Sequence, residues 1–193
     1  ILNMTGVPEQ VINPANLVVD PATCKPIYPN QYIKVNTIFE VARAHNLVTA
    51  WSDKHPAYQM LDGPSGTGVQ DLFAPEINSV ALGYTTGDWT TDNAATQQYD
   101  GYKVQAVLNW IDGYSHNRSV RLGTPAIFGM NFQTVSTAQK LPTSDGLTGG
   151  YLSDGATPGP LLSRALDFIN TSLQAMVSHI QSDGLAGSTT IIL

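Results

Sequence analysis

Chemically capable side chains are concentrated in residues 52–58, SDKHPAY, directly after the apolar run LVTAW (47–51). Asp53 and His55 could bind a metal ion or exchange a proton. Lys54 could pair with a phosphate group as a compact positive charge. The alternative is a solvated turn in which the acidic and basic neighbours pair with each other. The residue types support both interpretations of this segment.

A second polar segment, NFQTVSTAQK (131–140), follows the apolar residues PAIFGM. Asn131 and Gln133 supply amides, Lys140 supplies one positive charge, and the rest are mainly hydroxyl side chains. Such groups orient a polar ligand by hydrogen bonds, and they are poor ligands for zinc or a hard metal ion. An ordinary polar connection between a strand and a helix is the alternative interpretation.

The stretch GPSGTGVQD (63–71) differs by two letters from a phosphate-binding P-loop. That motif needs a lysine for the outer phosphates and a serine or threonine for Mg²⁺, and Val69 and Gln70 stand at those positions. We therefore expect a tight glycine loop rather than a nucleotide triphosphate site. Its glycines could still present backbone N–H groups to an anion, such as a phosphate ester.

Other catalytic patterns are missing from the sequence. It has no His-x-x-x-His, Cys-x-x-Cys or Gly-x-Ser-x-Gly spacing, and its one cysteine cannot form an internal disulfide. His45 and His179 fall near the ends of predicted helices, where a structural role is expected. His116 lies in a predicted loop with no partner visible in the sequence.

Composition limits the class of protein. The 193 residues are enough for one domain, 42% are hydrophobic, and the net charge is −6. A negative chain without a basic run is not expected to bind a nucleic-acid polymer, and no apolar run is long enough for a membrane span. Low charge and three glycosylation sequons, at Asn3, Asn117 and Asn170, favour a secreted or periplasmic glycoprotein.

The periodicity predicts three helices and three strands in alternation after an irregular lead-in over 1–35. The helices are predicted at TIFEVARAH, at TDNAATQQYDGYKVQAVLNWIDG and at PLLSRALDFINTSLQAMVSHIQ, and the strands at LVTAW, TPAIFGMNF and STTIIL. The first helix opens with the capping box Thr37–Glu40, and Ile38, Val41 and Ala42 are expected to form its apolar stripe, with Phe39 at the edge. Residues 52–90 and 133–159 are predicted to be long loops.

This alternation predicts an α/β fold with a mostly parallel sheet flanked by helices, all of residues 1–193 belonging to one domain. In such sheets ligands bind at the carboxyl ends of the strands, which is where 52–58 and 131–140 lie. The chain ends on the last residue of the predicted strand 188–193. We therefore expect a fragment of a longer protein, whose partner is the rest of the parent chain.

Several segments carry a resemblance to a known family: KVNTIFEVARAHNLVTAWSDKHPAY, GPSGTGVQDLFAPEINS, DNAATQQYDGYKVQAVLN, GTPAIFGMNFQTVSTAQK, LLSRALDFIN and STTIIL. Over roughly residues 20–193 the chain resembles the type I phosphodiesterase/nucleotide pyrophosphatase branch of the alkaline phosphatase superfamily. The resemblance implies an α/β sandwich around a large sheet. It also implies hydrolysis of phosphate esters in which divalent, zinc-like metal ions assist attack by a serine or threonine.

The resemblance implies an α/β fold that is incomplete at both ends of this chain, with the nucleophile and most metal ligands outside it. The catalytic residues are therefore unknown, and the chain alone is expected to be inactive or nearly so. Members of the family have an aspartate, and a histidine a few residues on, after the strand matching PAIFG, and NFQTVSTAQK lacks both. Asp53 and His55 are therefore the candidate metal ligands, and Lys54, Asn131, Gln133 and Lys140 the candidate substrate-binding residues.

Three functional hypotheses follow. The first is a fragment of a secreted, metal-dependent phosphodiesterase that acts on a small phosphate ester. The second is a non-catalytic binder of a phosphate-containing or other polar ligand on the same fold. The third, which depends on low charge and long polar loops alone, is a structural or interaction protein. The substrate, the metal and the oligomeric state are not specified by the sequence.

Overall fold

The computed structural model describes residue 4, residues 6–81 and residues 87–193. Within them there are five α-helices and four short strands, and the strands occur in two consecutive pairs. The helices are α1 (Pro8–Val11), α2 (Ile38–Ala44), α3 (Asn93–Ile111), α4 (Thr134–Lys140) and α5 (Pro160–Ser182). The strands are β1 (Ala50–Ser52), β2 (Asp71–Phe73), β3 (Thr143–Ser144) and β4 (Leu147–Thr148). Four 3₁₀ segments complete the regular structure: Pro14–Asn16, Pro29–Tyr32, Pro56–Asp62 and Ala186–Ser188.

The three predicted helices are confirmed, because local signals fix their ends. Thr37 and Glu40 form the capping box that starts α2, and Asn46 adopts the left-handed conformation, with φ of 60°, just after it ends. Asp92 caps α3 by accepting the N–H of Ala95 at 3.0 Å. Helix α5 begins at Pro160, whose fixed φ suits a first turn.

The buried face of α2 differs from the prediction. Phe39 and Ala42 are buried, whereas Ile38 and Val41 are 66% and 46% exposed. The difference arises because Phe39 packs edge-on against Trp51 of β1, with ring centroids 5.9 Å apart. The helix is therefore rotated about its axis so that the large aromatic ring of Phe39 is buried and the two aliphatic side chains face outward.

The main core lies between α3, α5 and β1. Side chains of α3, such as Val107 and Trp110, form one cluster with Ala50 of β1 and with Met176 and Ile180 of α5. Helix α3 is buried on nearly all sides, and at one end it reaches the start of α4. It is therefore the central scaffold on which the strands and α4 are arranged.

The prediction of a large, mostly parallel sheet is wrong. Strands β1 and β2 form a two-stranded parallel sheet, and β3 and β4 form a two-stranded antiparallel one. Isolated parallel bridges add part of the predicted strand 124–132 beside β1, from Thr49 to Ile127 and from Ser52 to Met130. The pairing is local because the predicted runs 47–51 and 124–132 pair over only a few residues each, rather than as full strands.

The predicted strand 188–193 is absent from the structure. Residues 186–188 form a 3₁₀ turn, the rest have no regular structure, and Ile192 and Leu193 are 89% and 94% exposed. An apolar run becomes a strand only when a neighbouring strand bonds its backbone groups, and no ladder hydrogen bond reaches this segment among the described residues.

The two predicted long loops contain regular structure. Residues 52–90 include a 3₁₀ segment and β2, and residues 133–159 include α4 and the β3–β4 hairpin. In the ranges that the structure covers, no helix combines the length and the apolar character that a bilayer crossing requires.

Candidate functional site

Four of the six predicted site residues line one cavity of about 320 Å³ beside α4. We call it the α4 cavity. It is lined by Lys54, His55, Ile77, Asn78, Thr90, Gln133, Ser136, Thr137, Lys140 and Leu141. The structure thus brings SDKHPAY and NFQTVSTAQK together, although they are separated by more than seventy positions in the chain.

Backbone pairing beside β1 causes this convergence. The N–H of Asn131 donates to the carbonyl of Ser52 at 3.2 Å, so both segments leave the paired region at the same edge. Lys54 Nζ then reaches Gln133 Oε1 at 3.3 Å, and Gln133 Nε2 donates to Asn131 Oδ1 at 3.0 Å. The amide of Gln133 therefore links the lysine of one segment to the asparagine of the other.

Asp53 is buried, and it is not part of the cavity lining. Its carboxylate accepts hydrogen bonds from Trp51 Nε1 at 3.1 Å, from the backbone N–H of Lys54 at 2.9 Å and from Asn131 Nδ2 at 3.4 Å. Because all three donors belong to the protein, the role of this carboxylate is structural. It stabilises the turn that carries Lys54 and orients the side-chain amide of Asn131.

His55 is held by Glu76. Its Nδ1 lies 2.7 Å from Glu76 Oε1, and Glu76 also accepts the N–H of Asn78 at 3.0 Å. The carboxylate favours the tautomer that carries a proton on Nδ1 and leaves Nε2 as the acceptor. The imidazole is therefore oriented by a second group, as in sites where histidine exchanges a proton.

The residues present do not fit a divalent metal ion. Among the described residues, no three His, Cys, Asp or Glu side chains converge in a way that could hold one. The carboxylate of Asp53 already accepts from three donors, whereas His55, with Nδ1 on Glu76, offers only Nε2 as a single possible ligand. The predicted pair Asp53 and His55 is therefore not presented as the set of converging ligands that metal chemistry requires.

The electrostatic character of the cavity is positive. Lys54 and Lys140 both line it, and no aspartate or glutamate belongs to the lining. Across the part of the chain that the structure describes, neither lysine is within ion-pair distance of a carboxylate. This concentration of positive charge is notable in a chain with 15 acidic and 9 basic residues.

Helix α3 supplies supporting residues that the sequence did not single out. Asp100 Oδ2 accepts the backbone N–H groups of Gln133 and Thr134, each at 2.8 Å. Lys103 Nζ donates to the carbonyl of Asn131 and lies 3.0 Å from Asp100 Oδ1. Asp100 Oδ1 has no hydrogen bond of good geometry among the described residues, so the contact between the two side chains is mainly one of charge.

Burial dominates the protonation equilibria of this pair. It raises the pKa of Asp100 and lowers the pKa of Lys103, while their mutual attraction opposes both shifts. Asp100 and Lys103, three residues apart, are the only charged residues of α3, and this spacing is the signal that could have revealed them.

The glycine loop 63–71 is closed by the protein's own carboxylates. The N–H of Ser65 donates to Glu40 Oε1 at 2.8 Å, and the N–H of Val69 donates to Asp62 Oδ1 at 3.0 Å. An anion bound in this loop would need the same N–H groups, which already donate to carboxylates of the protein. Burial, with smaller contributions from nearby acidic groups, raises the pKa of Asp62 to about 6. The loop therefore does not offer the phosphate nest that its glycines suggested.

The remaining histidines have partners that the sequence did not show. His116 Nδ1 lies 2.6 Å from Asp71 Oδ1, and its ring stacks on Phe73 at 4.9 Å. His179 Nδ1 lies 2.8 Å from Asp112 Oδ1, which joins the C-terminal ends of α5 and α3. Neither histidine lines the α4 cavity.

No family model, curated protein or solved structure matches this chain. The choice among functions therefore depends on the geometry and chemistry of the α4 cavity and on the resemblance in sequence described above.

Proposed function

We propose that the α4 cavity binds the phosphate group of a small phosphate ester. The main support for this proposal is that Lys54 and Lys140 both line one cavity and that no carboxylate lines it. A dianionic phosphate gains favourable interactions with two ammonium groups, and it also accepts hydrogen bonds from hydroxyl side chains. Ser136, about one turn before Lys140, supplies such a hydroxyl, whereas the Thr137 hydroxyl already donates to the carbonyl of Thr134.

The cavity also has room for part of the organic group of an ester. Ile77 and Leu141 contribute apolar surface beside the polar lining. A volume of about 320 Å³ lies at the lower end of the range for small-molecule sites. A phosphate with a small alcohol or aromatic substituent therefore suits the site better than a polymer does.

Binding is favoured over hydrolysis on the residues present. The lining contains hydroxyls but no hydroxyl hydrogen-bonded to His55 among the described contacts, and the predicted metal ligands do not fit a metal ion. Hydrolysis is the second candidate, and the resemblance to the phosphodiesterase family is what favours it. We therefore expect binding of a phosphate ester without turnover by this chain.

Titration calorimetry with 4-nitrophenyl phosphate tests the proposal. Lys54→Met and Lys140→Met are each expected to weaken binding about tenfold, because each removes one charge-assisted contact of roughly 1.4 kcal/mol. Lys34→Met is the matched control, since Lys34 is exposed, donates to the carbonyl of Gln31, and lies outside the cavity. Equal loss in all three variants would show that only net charge matters and would refute a site at α4.

Turnover is measured separately with bis-4-nitrophenyl phosphate. Release of 4-nitrophenolate that requires added zinc and stops on chelation favours the hydrolase hypothesis. Binding of the ester without release favours the binder. The assay uses the same chain and the same lysine variants, so activity from a contaminating enzyme is recognised because it does not change with them.

We also propose that the protein is secreted. Two of its three sequons fall within the described residues, and both Asn117 and Asn170 are exposed, as glycan attachment requires. A loss of mass on deglycosylation of the protein purified from its source tests this. An unchanged mass counts against a glycoprotein.

A further inference from the structure

A fully buried ion pair lies behind the α4 cavity. The side chains of Asp100 and Lys103 on α3 are both 0% exposed. Lysine and aspartate are among the residues least often fully buried, since removing their charges from water is costly. Apolar residues at both positions would make the fold at least as stable. The groups that the ion pair contacts therefore indicate what else it does.

Those contacts are directed at one short segment. Asp100 accepts the N–H groups of Gln133 and Thr134, and Lys103 donates to the carbonyl of Asn131. Three of the backbone groups at the start of α4 are thus fixed by two side chains of α3. The side chains of Asn131 and Gln133 extend from this fixed backbone, and Gln133 in turn contacts Lys54.

The neighbouring residue on α3 fixes the other walls. Tyr99 donates its hydroxyl to the carbonyl of Pro75 at 2.6 Å, next to Glu76, and lies 3.4 Å from the carbonyl of Asp53. Its ring also faces Lys103, with Nζ 4.8 Å from the ring centroid. One turn of α3 therefore contacts the backbone beside three of the four segments that line the cavity, the fourth being Thr90.

We infer that Asp100 and Lys103 are positioning residues for the phosphate site. They do not line the cavity. They hold the backbone of residues 131–134 in place, which orients the side-chain amide of Gln133 and, through it, Lys54. This inference rests on the proposed function. The competing explanation is that the ion pair stabilises the fold without affecting the ligand.

Two substitutions at one position separate these explanations. Asp100→Asn keeps an oxygen that can accept the two N–H groups, whereas Asp100→Leu has a similar size and lacks it. A positioning role predicts at least a tenfold weaker affinity for 4-nitrophenyl phosphate in Asp100→Leu, roughly the loss of one charged contact, and substantial recovery in Asp100→Asn. Lys103→Met, which removes the donor to Asn131, is expected to weaken binding as well.

Asp71→Asn is the matched control for lost stability. Asp71 is a half-buried carboxylate that also accepts a backbone N–H, from His116 at 2.5 Å, and it lies outside the α4 cavity. It is expected to lower the urea midpoint while leaving phosphate affinity within twofold of the unchanged chain. Equal affinity in the folded Asp100→Leu variant and in this control would overturn the positioning role.

Amide hydrogen exchange gives a readout that needs neither ligand nor variant. In the unchanged chain the N–H groups of Gln133 and Thr134 are expected to exchange slowly, because both donate to Asp100. Helix-start amides are otherwise unpaired. Fast exchange of both overturns the positioning role whether or not phosphate binds. Slow exchange together with no phosphate binding by the unchanged chain refutes the proposed function and leaves the positioning geometry supported.

Discussion

The carboxylate of Asp62 is expected to destabilise the folded protein at neutral pH. It is 3% exposed, and burial together with nearby Glu9 and Glu40 raises its pKa to about 6 from an ordinary value of 3.8. Between about pH 4 and pH 6 the folded chain therefore binds more protons than the unfolded chain. Stability from this group falls as the pH rises through that window.

The magnitude follows from the shift. About two pKa units correspond to an upper bound of roughly 3 kcal/mol at 1.36 kcal/mol per unit. Asp62 lies next to exposed loop residues such as Ser65, so solvent screening reduces this to about 1–2 kcal/mol. Asp62→Asn keeps an acceptor for the N–H of Val69, which now donates to Asp62 Oδ1 at 3.0 Å.

Urea unfolding of both chains between pH 4 and pH 8 measures the effect. We expect the Asn variant to match the unchanged chain near pH 4, where Asp62 is protonated, and to be more stable by about 1–2 kcal/mol at pH 7. Other titrating groups are common to both chains and cancel in the difference. A variant that is less stable at pH 7, or a difference that does not vary with pH, refutes the reasoning.

Two further predictions concern local structure. Thr37→Ala removes the α2 cap and the 3.0 Å hydrogen bond from Thr37 to the carbonyl of Leu61, so the free energy of unfolding should fall by about 1 kcal/mol in urea titrations; an unchanged midpoint contradicts this role. Gly149→Ala places a methyl group against the carbonyl of Leu141, which lines the cavity, and 2.8 Å from that of Ala138. We expect a loss of about 1–3 kcal/mol and a weaker affinity for 4-nitrophenyl phosphate. Gly187→Ala, where nothing lies within 4 Å and φ is not positive, is the control and is expected to change neither; an equal effect of the two substitutions refutes the clash.

The sequence determined the helices because their signals are local. The capping box at Thr37, the asparagine at position 46 and the proline at position 160 act within a few residues of the backbone that they fix. The apolar stripe of α5 also follows from its own periodicity. Sequence alone therefore located these elements and most of their bounds.

Strand pairing was decided by tertiary structure, since a strand depends on a neighbour that may lie far along the chain. The runs LVTAW and PAIFG pair beside each other over a few residues, which brings Lys54 to Gln133. The run STTIIL has the same character, yet no partner strand among the described residues bonds it. Composition cannot distinguish these outcomes.

The candidate site divides in the same way. The sequence could name Lys54, Gln133 and Lys140, because polar residues after apolar runs tend to gather at strand ends. Only the tertiary structure showed that the carboxylate of Asp53 accepts hydrogen bonds from other protein groups and does not line the cavity. It also showed that Asp100, paired with Lys103, binds the backbone at the start of α4. Which carboxylates face solvent, a ligand or a buried donor depends on packing between distant elements. The residue types alone do not encode it.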